Sequence, residues 1–411
     1  MSKGILSGLR VIEGSAFVAA PLGGMTLAQM GAEVIRFDPI GGGLDYGRWP
    51  LVNNGSAGDG TSLFWAGLNK GKKSICLDLA APEGQEIATA LITAPGEDAG
   101  LFLTNFPARG WLDYAKLKAR RADLIMLAVT GHHDGSTAVD YTVNCAVGFP
   151  YVTGPASESE PVNHVLPAWD AICGVTAASG LLAAERHRGK TGEGQLVTLA
   201  LSDVAYAMAG HLGFIGEAQI NGAERPRYGN YLYGGFGRDF VTRDGRRVMI
   251  VALTLRQWRS LLKATGLAEP MAHIAAQRGF INLDDEGDRF RAREAIAGVL
   301  APWIAARDLA GVAAALDASG ACWGPYRSFA EMVAADPRCS PANPLFATVA
   351  HPGIGELLTP ASPLDFASHA RLTPQPAPRL GAQTDEILAE VLGLSSGEIG
   401  RLHDAKIVAG P

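Results

Sequence analysis

The 411-residue sequence predicts an α/β fold, in which a large Rossmann-like domain with a parallel sheet is joined to a smaller α+β domain. In the first half, short apolar runs alternate with helical segments, the order that produces a parallel sheet with right-handed crossovers. Near residue 221 the alternation stops, and a stretch rich in Gly, Tyr and Arg is followed by amphipathic helices. From about residue 322 the chain is rich in proline, which indicates a segment that returns to the first domain. We place the large domain at residues 1–210, the small domain at 211–325 and the returning segment at 326–411.

The individual elements are predicted from periodicity and turn residues. Apolar runs predict strands at residues 9–13, 33–38, 73–79, 100–104, 124–129 and 195–201. Helical periodicity predicts helices at residues 22–30, 82–92, 171–188, 256–264, 289–306 and 385–403. We expect a hairpin at 240–251 with Asp244 and Gly245 as its turn, and a helix capped by Ser202 and Asp203.

The composition is that of a globular protein and excludes several function classes. Apolar residues make up 47% of the chain and charged residues 18%. The formal net charge of −6 argues against general nucleic-acid binding, which requires a basic surface. The five cysteines are widely spaced without a CxxC pair, and the nine histidines show no metal spacing, so we expect neither a disulfide framework nor a metal. Free thiols favour a reducing cytoplasm, and no apolar run reaches the roughly 18 residues of a membrane span.

The first strand, helix and second strand imitate a dinucleotide-binding unit, because the second strand ends in the acidic residue Asp38. The glycine fingerprint GxGxxG should follow the first strand, but residues 13–18 read EGSAFV. Three consecutive glycines at 41–43 come only after the second strand. We therefore predict the Rossmann-like topology without a nicotinamide cofactor.

Asp170 directly precedes a helix rich in alanine and leucine, so it lies at or near a helix N-terminus. One interpretation is an N-cap, whose oxygens accept unpaired backbone N–H groups, and position alone favours it. The other is a nucleophile, because helix-end N–H groups and the helix dipole would lower its pKa and keep it ionised for acyl transfer. The two interpretations are compatible.

Two further turns have the composition of an anion site. Residues 68–74 read LNKGKKS before a strand, and lysines on a glycine-containing turn can bind phosphate, although a solvated basic turn is the simpler interpretation. Residues 105–110 read NFPARG at the carboxyl end of a strand, where the ligands of open parallel sheets bind.

Taken in order, these stretches resemble the family III CoA-transferases over nearly the whole chain. The matching pieces are residues 9–13, 21, 31–36, 68–75, 105–106, 191–195, 202–203, 377–381 and 386–388. In that family the nucleophile is an aspartate just before the helix that leads to a Thr-Gly-Glu-Gly-Gln motif, and Asp170 occupies that position. The resemblance implies a Rossmann-like large domain built from both ends of the chain, a small middle domain, and two subunits that interlock as a homodimer.

The resemblance also implies an acyl-CoA substrate, with no cofactor beyond the CoA that the substrate carries. The implied CoA-binding residues are Phe17, Val18, Ala19, Arg36, Leu68, Lys72, Asn105, Phe106 and Arg109. Two features depart from the family, since many members have a Gln where Val18 stands, and the flexible glycine loop is represented only by residues 234–237. Residues that could contact the acyl group or its free carboxylate are Arg48, Arg227, Arg238, Gly234 and Gly235. For each arginine, a structural ion pair is the simpler interpretation.

Five stretches, residues 23–29, 41–46, 63–72, 162–170 and 229–234, go beyond the general family pattern. They resemble the members that move CoA between the C1 and C4 carboxyl groups of mesaconate, through an aspartyl anhydride and an aspartyl-CoA thioester. The alternatives are transfer to a separate acid, racemisation, and acyl-CoA binding without catalysis. Racemases of this fold carry a His before the Asp of the segment at 139–140, and Val139 there argues against proton transfer.

Overall fold

The computed structural model describes residues 4–52, 61–222, 224–278 and 281–411. Within these ranges the strands are β1 (Arg10–Gly14), β2 (Glu33–Pro39), β3 (Lys73–Leu77), β4 (Leu101–Thr104), β5 (Ile125–Thr130), β6 (Leu196–Ala200), β7 (Phe236–Val241), β8 (Arg247–Ala252), β9 (Cys322–Pro325), β10 (Phe346–His351), β11 (Gly355–Pro360) and β12 (Val408–Ala409).

The helices in the same ranges vary widely in length. They are α1 (Ala19–Ala28), α2 (Leu63–Leu68), α3 (Pro82–Ile92), α4 (Tyr114–Arg120), α5 (Asp140–Ala146), α6 (Phe149–Val152), α7 (Ala168–Thr191), α8 (Leu201–His211), α9 (Phe214–Asn221), α10 (Leu255–Thr265), α11 (Ala268–Arg278), α12 (Glu286–Arg291), α13 (Arg293–Ala305), α14 (Leu309–Ser319), α15 (Phe329–Ala335), α16 (Thr384–Leu392) and α17 (Ser396–Asp404). None of these helices combines the length and the hydropathy that crossing a membrane requires.

The largest sheet contains seven strands in the order β12-β3-β2-β1-β4-β5-β6. Neighbouring strands run parallel from β3 to β6, whereas the short β12 pairs antiparallel with β3. The central strands are buried over nearly their whole length, which is why their sequences are apolar with little alternation. The predicted α/β fold with a parallel sheet is thereby confirmed.

The parallel arrangement brings the carboxyl ends of β1, β2 and β4 to one edge of this sheet. Thr104, the last residue of β4, donates its Oγ1 hydroxyl to the carbonyl oxygen of Gly14 at the end of β1, at 2.7 Å. The turns that leave these two strands therefore stay side by side. Ligands of open parallel sheets bind at this edge, and the candidate site is built on it.

Helices α1 and α7 pack closely because glycines face each other where they cross. A Cβ atom on Gly174 of α7 would lie 2.7 Å from the carbonyl oxygen of Ala19 and 2.9 Å from Cβ of Leu22. A Cβ atom on Gly23 of α1 would lie 3.0 Å from the carbonyl oxygen of Gly174. This close approach places the start of α1 beside the first turns of α7, which carry Asp170.

The chain divides into two compact units. The first comprises residues 1–147, 164–216 and 337–411, and it contains the seven-stranded sheet. The second comprises residues 148–163 and 217–336, with the antiparallel sheet β7-β8-β9 and an apolar core of its own. The segment 148–163, which the predicted division assigned to the large domain, groups with the second unit.

Two predicted helices are each divided in the structure. The helix expected at 289–306 is replaced by α12 and α13, because Ala292 has φ −92° and ψ 4° and interrupts the helical turn. The helix expected at 385–403 is replaced by α16 and α17, because Gly393 adopts the left-handed conformation at φ 70° and ends the first of them.

Two further local expectations also differ. Ser202 and Asp203 do not cap α8, because that helix already begins at Leu201 and both residues lie in its first turn. The proline-rich segment contains the antiparallel pair β10-β11, which was not predicted. Its last strand, β12, extends the large sheet, so the end of the chain packs on the first unit.

Candidate active site

The first turn of α7 carries Asp170, and a carboxylate from another helix holds its backbone. Asp140, the first residue of α5, is 2% exposed. Its Oδ2 atom accepts from the N–H groups of Trp169 at 2.8 Å and Asp170 at 3.0 Å. Pro167 stands at the N-cap position without a side-chain hydrogen bond. Asp170 is therefore the third residue of the helix, and the interpretation of Asp170 as its cap is wrong.

The surroundings of Asp170 make its carboxylate more basic than that of an ordinary aspartate. Burial raises the pKa of Asp170 to about 6, the negative charge of Asp140 adds to the rise, and Arg48 opposes it. The expectation that the helix end lowers this pKa is wrong, because burial and the charge of Asp140 outweigh any stabilisation by the helix end, and Asp140 accepts from two of its N–H groups. At neutral pH a carboxylate of this basicity is still mostly ionised.

Arg48 supplies the positive charge that acts on Asp170. The carbon at the centre of its guanidinium lies 5.2 Å from the ring centre of Phe17 and 5.3 Å from that of Phe64, so two aromatic rings position it. Its carbonyl oxygen accepts from Oγ of Ser62 at 2.6 Å, which fixes the backbone. In the described part of the chain its guanidinium has no carboxylate partner within 4.0 Å, so its N–H groups remain available to an anion.

The turn between β1 and α1 contains the predicted CoA contacts Phe17, Val18 and Ala19. Phe17 has φ 66°, a left-handed conformation that is uncommon outside glycine. Asn105 holds the turn, because its Oδ1 accepts from the N–H of Ala16 at 2.9 Å and its Nδ2 donates to the carbonyl oxygen of Ala16 at 2.7 Å. Val18 takes the N-cap position of α1 and Ala19 is buried as its first residue. The amide of Asn105 therefore shapes the turn that the sequence associates with CoA.

Below this turn lies a group of charged side chains that we call the buried ion cluster, made up of Glu13, Arg36, Asp38, Asp45 and Lys72. Arg36 is 1% exposed, and its Nη2 atom lies 2.8 Å from Oδ1 of Asp38 and 3.0 Å from Oδ1 of Asp45. Burial alone would lower the pKa of Arg36, but the three carboxylates of the cluster hold it above its usual range. The guanidinium is thus permanently charged and fully enclosed.

Lys72 completes the buried ion cluster from the turn before β3. Its Nζ atom donates to Oε1 of Glu13 at 2.8 Å, to the carbonyl oxygen of Pro21 at 2.9 Å and to Oδ1 of Asn69 at 2.9 Å. Burial lowers the pKa of Lys72 to about 8, and the charge of Glu13 opposes that shift. Since the side chains of Arg36 and Lys72 are 1% and 0% exposed, their direct contact with CoA stays a prediction.

The remaining predicted CoA contacts lie at the surface of the first unit. Leu68 ends α2 and is partly buried. Phe106 packs edge-on against Phe37, with ring centres 6.2 Å apart. Arg109 is exposed in the turn that follows β4. Their contact with CoA also stays a prediction.

The predicted substrate contacts Arg227, Gly234 and Gly235 belong to the second unit. Arg227 donates from Nε to the carbonyl oxygen of Tyr151 at 2.7 Å and from Nη2 to that of Ser159 at 3.1 Å, so much of its guanidinium is used within this unit. Gly234 is exposed in a turn at φ 80°. Gly235 is buried, and a Cβ atom there would lie 2.8 Å from Oε1 of Glu286.

Arg238, also in the second unit, has local partners as well. Its Nη1 donates to the hydroxyl of Tyr231 at 2.6 Å, and its guanidinium carbon lies 4.6 Å from the centre of that ring. Arg238 therefore has a hydrogen-bonded side-chain partner, whereas the guanidinium of Arg48 has none among the described residues.

Asp140 was not predicted from the sequence to be part of the site. Thirty positions separate it from Asp170, and no local pattern links the two residues. In the ranges that the structure describes, no group of three His, Cys, Asp or Glu side chains has the arrangement of a metal site.

Comparison with known proteins decides the family. The sequence model of CoA-transferase family III matches residues 6–384. The chain belongs to this family. It is 63% identical over 409 residues to the 2-methylfumaryl-CoA isomerase of Chloroflexus aurantiacus, covering 100% of this chain and 99% of that protein.

More distant relatives extend the comparison to other acids and to solved folds. The succinyl-CoA–L-malate CoA-transferase alpha subunit of Chloroflexus aurantiacus is 27% identical over 98% of this chain and 92% of its own length. The crystal structure of a CAIB/BAIF family protein from Brucella suis superimposes with a TM-score of 0.76 at 23% identity, covering 95% of this chain and all of that one. At this identity the likeness supports the fold alone.

Proposed function

We propose that the protein transfers CoA within one molecule, converting 2-methylfumaryl-CoA to 3-methylfumaryl-CoA, that is, moving CoA from C1 to C4 of mesaconate. The observation that carries the proposal is the carboxylate of Asp170 in the first turn of α7, basic yet ionised at neutral pH, with the cation Arg48 acting on it. The 63% identity with the isomerase of Chloroflexus aurantiacus supports the choice of substrate.

The first half of the reaction frees the acid from CoA. The carboxylate of Asp170 attacks the C1 thioester carbonyl, a C–O bond forms, the C–S bond breaks, and CoA leaves as the thiolate. The thiolate then attacks the Asp170 carbonyl of the resulting anhydride. An aspartyl-CoA thioester forms and mesaconate is released within the site as a dianion.

The second half repeats these steps in reverse order at the other carboxyl group. The C4 carboxylate attacks the aspartyl-CoA thioester, giving the C4 anhydride and CoA thiolate. The thiolate attacks the C4 carbonyl, which yields the C4 thioester and regenerates the carboxylate of Asp170. Substrate and product are thioesters of similar energy, so the protein's main tasks are to exclude water and to retain mesaconate.

The geometry around Asp170 supports these tasks. Arg48 has N–H donors that can hold the carboxylate not undergoing reaction, and the rings of Phe17 and Phe64 restrain it. The start of α1 lies beside α7 through the Gly23–Gly174 contact. Its first-turn N–H groups are oriented donors of the kind that stabilise a developing oxyanion.

The assembly and the compartment are part of the same proposal. The family resemblance supports a homodimer of interlocked subunits, with the acyl-CoA as the small-molecule partner. All five cysteines are unbonded, which supports a reducing compartment such as the cytoplasm.

Replacement of Asp170 tests the chemistry. Asp170→Asn is nearly isosteric and removes the nucleophile, so we expect kcat to fall by at least about a thousandfold at unchanged fold. Asp203→Asn is the matched control, because Asp203 is the exposed third residue of α8 as Asp170 is the third residue of α7. Near-normal turnover by Asp170→Asn would exclude the proposed mechanism.

Isotope labelling tests whether the transfer is intramolecular. Labelled free mesaconate added during turnover should not enter the C4 thioester, because the released acid stays in the site. Heavy incorporation would instead indicate transfer to a separate acid, the alternative that matches the name of the succinyl-CoA–L-malate relative.

A further inference from the structure

Asp140 contacts the nucleophile's turn but has no assigned role in the reaction. Its Oδ2 atom accepts from the N–H groups of both Trp169 and Asp170. One turn further along α5, Oδ1 of Asn144 accepts from Nε1 of Trp169 at 3.1 Å. Three hydrogen bonds that α7 donates to side chains of α5 therefore fix the first turn of α7, and with it the backbone that carries the Asp170 side chain.

Asp140 brings a charge to this position as well as hydrogen-bond acceptors. A neutral acceptor would satisfy the same two N–H groups, yet the chain places a carboxylate there, with 2% exposure. Its second oxygen, Oδ1, is buried, and no described residue donates a hydrogen bond to it. The charge is therefore only partly compensated, and it acts on the neighbouring carboxylate of Asp170.

We propose that Asp140 is a positioning residue whose negative charge disfavours the ionised form of Asp170 and thereby favours its acylated forms. This inference rests on the proposed function, in which Asp170 stays covalently bonded, as anhydride or CoA thioester, from the first step of each turnover to the last. The anhydride and the aspartyl-CoA thioester carry no charge at Asp170. Repulsion from Asp140 therefore raises the free energy of the free carboxylate and leaves the two covalent forms nearly unaffected.

Besides Asp140, the described residue whose charge acts on Asp170 is Arg48. Arg48 stabilises the ionised form of Asp170, whereas Asp140 destabilises it. A substrate carboxylate bound to Arg48 would neutralise part of the positive charge of Arg48. The ionised carboxylate of Asp170 is then less stabilised, and so more reactive, once the site is filled. Cys173, one turn along α7, is fully buried, and burial together with the charge of Asp170 raises the pKa of its thiol to about 12, so it stays neutral. Helix α1, which packs against this turn, has no ionisable side chain.

The test is Asp140→Asn in the full-length protein, which keeps an acceptor oxygen and removes the charge. The acid limb of kcat/KM reports the ionisation of Asp170 in the free enzyme. We expect this limb to move down by about one pH unit, and the fraction of enzyme trapped as aspartyl-CoA thioester to fall by up to about tenfold. Asp140→Ser is a second neutral variant in case the amide distorts the turn. Asp113→Asn is the control, because Asp113 caps α4 by accepting from two N–H groups away from the site.

Two more variants separate charge from support of the backbone. Asn144→Leu removes the hydrogen bond to Trp169 without changing charge, so kcat falls while the acid limb stays in place. Asp140→Glu keeps the charge and should keep the limb near its original position. An unchanged limb and thioester fraction in both neutral variants, or an equal shift in Asp140→Glu, would overturn the inference. Failure of the proposed function is distinguishable, because the parent enzyme would then form no aspartyl-CoA thioester at all.

Discussion

The buried ion cluster and the start of α7 both collect charged side chains in the first unit, but they compensate charge differently. In the cluster, Arg36 and Lys72 each lie within 3.0 Å of a carboxylate oxygen, and their side chains are enclosed. At the start of α7, two carboxylates, Asp140 and Asp170, lie near one cation, and Arg48 is positioned by aromatic rings instead of a carboxylate.

The difference indicates what each region can do. Charges that are paired and buried hold backbone segments in place, and their energies change little when a ligand arrives. Charged side chains that are only partly compensated at an accessible edge respond to a ligand, because a bound carboxylate or acyl group changes the electrostatic free energy of each of them. In the proposed mechanism the cluster therefore supports the site, and the start of α7 carries the reacting group.

The largest effect we predict is on stability, from Lys72→Met. The substitution removes the nearer of the two cations beside Glu13, at 2.8 Å against 3.8 Å for Arg36, and breaking a buried ion pair costs about 3 to 5 kcal/mol. Chemical denaturation should show a loss of that size. The neighbouring Lys73→Met is the control, since Lys73 is 31% exposed and its surface pairs are worth less than about 1 kcal/mol. Equal losses in the free energy of unfolding of the two variants would mean that the ion pair of Lys72 in the cluster contributes no more to stability than the surface pairs of Lys73.

The next largest effect is on substrate binding, from Arg48→Ala. Loss of a charge-assisted contact to the free carboxylate should cost about 2 kcal/mol, or about 30-fold in KM. Arg48→Lys keeps the charge without the forked donors and should give an intermediate KM. Steady-state kinetics with Arg120→Ala, which removes an exposed pair with Glu86, provides the control. An unchanged KM in Arg48→Ala would assign the free carboxylate to another residue.

The smallest effect is a gain in stability, from Asp170→Asn. Because the folded chain raises the pKa of Asp170 from its usual value to about 6, ionisation of this group opposes folding above that pH. The variant should gain about 1 to 2 kcal/mol at pH 7.5, with the gain shrinking between pH 6 and pH 4 and absent below. Thermal or urea unfolding across this range measures it. A loss of stability at pH 7.5 would mean that the charge of Asp170 is compensated as fully as the charges of the buried ion cluster.

The sequence predicted the sheet more completely than the site. Buried parallel strands such as Ile125–Thr130 are continuous apolar runs bounded by turns, so their positions can be inferred from local composition. The two divided helices were predicted less well. Alanine favours helices, so Ala292 gives no sign of the first break, whereas Gly393 is a residue type that commonly ends a helix. The strands β10 and β11 were not predicted, because their alternation of apolar and polar residues is weak and the surrounding prolines favour an irregular segment.

The site depends on contacts that no local pattern contains. Asp170 was identified by its place before a helix and by family resemblance, but its basicity arises from burial in the folded chain and from the charge of Asp140, thirty positions earlier. The lysine-rich turn at 68–74 has the composition of a solvated surface, yet Lys72 is buried and forms an ion pair with Glu13 in the folded chain. Charge compensation of this kind is a tertiary property.

In the proposed mechanism, Asp170 is the residue that carries CoA during turnover. Acid quench during steady-state turnover of 2-methylfumaryl-CoA, followed by peptide mass spectrometry, measures this directly. We predict a CoA adduct on the peptide containing Asp170, sensitive to hydroxylamine and absent from Asp170→Asn. Turnover without any enzyme-bound CoA, or an adduct on a different residue, would contradict it.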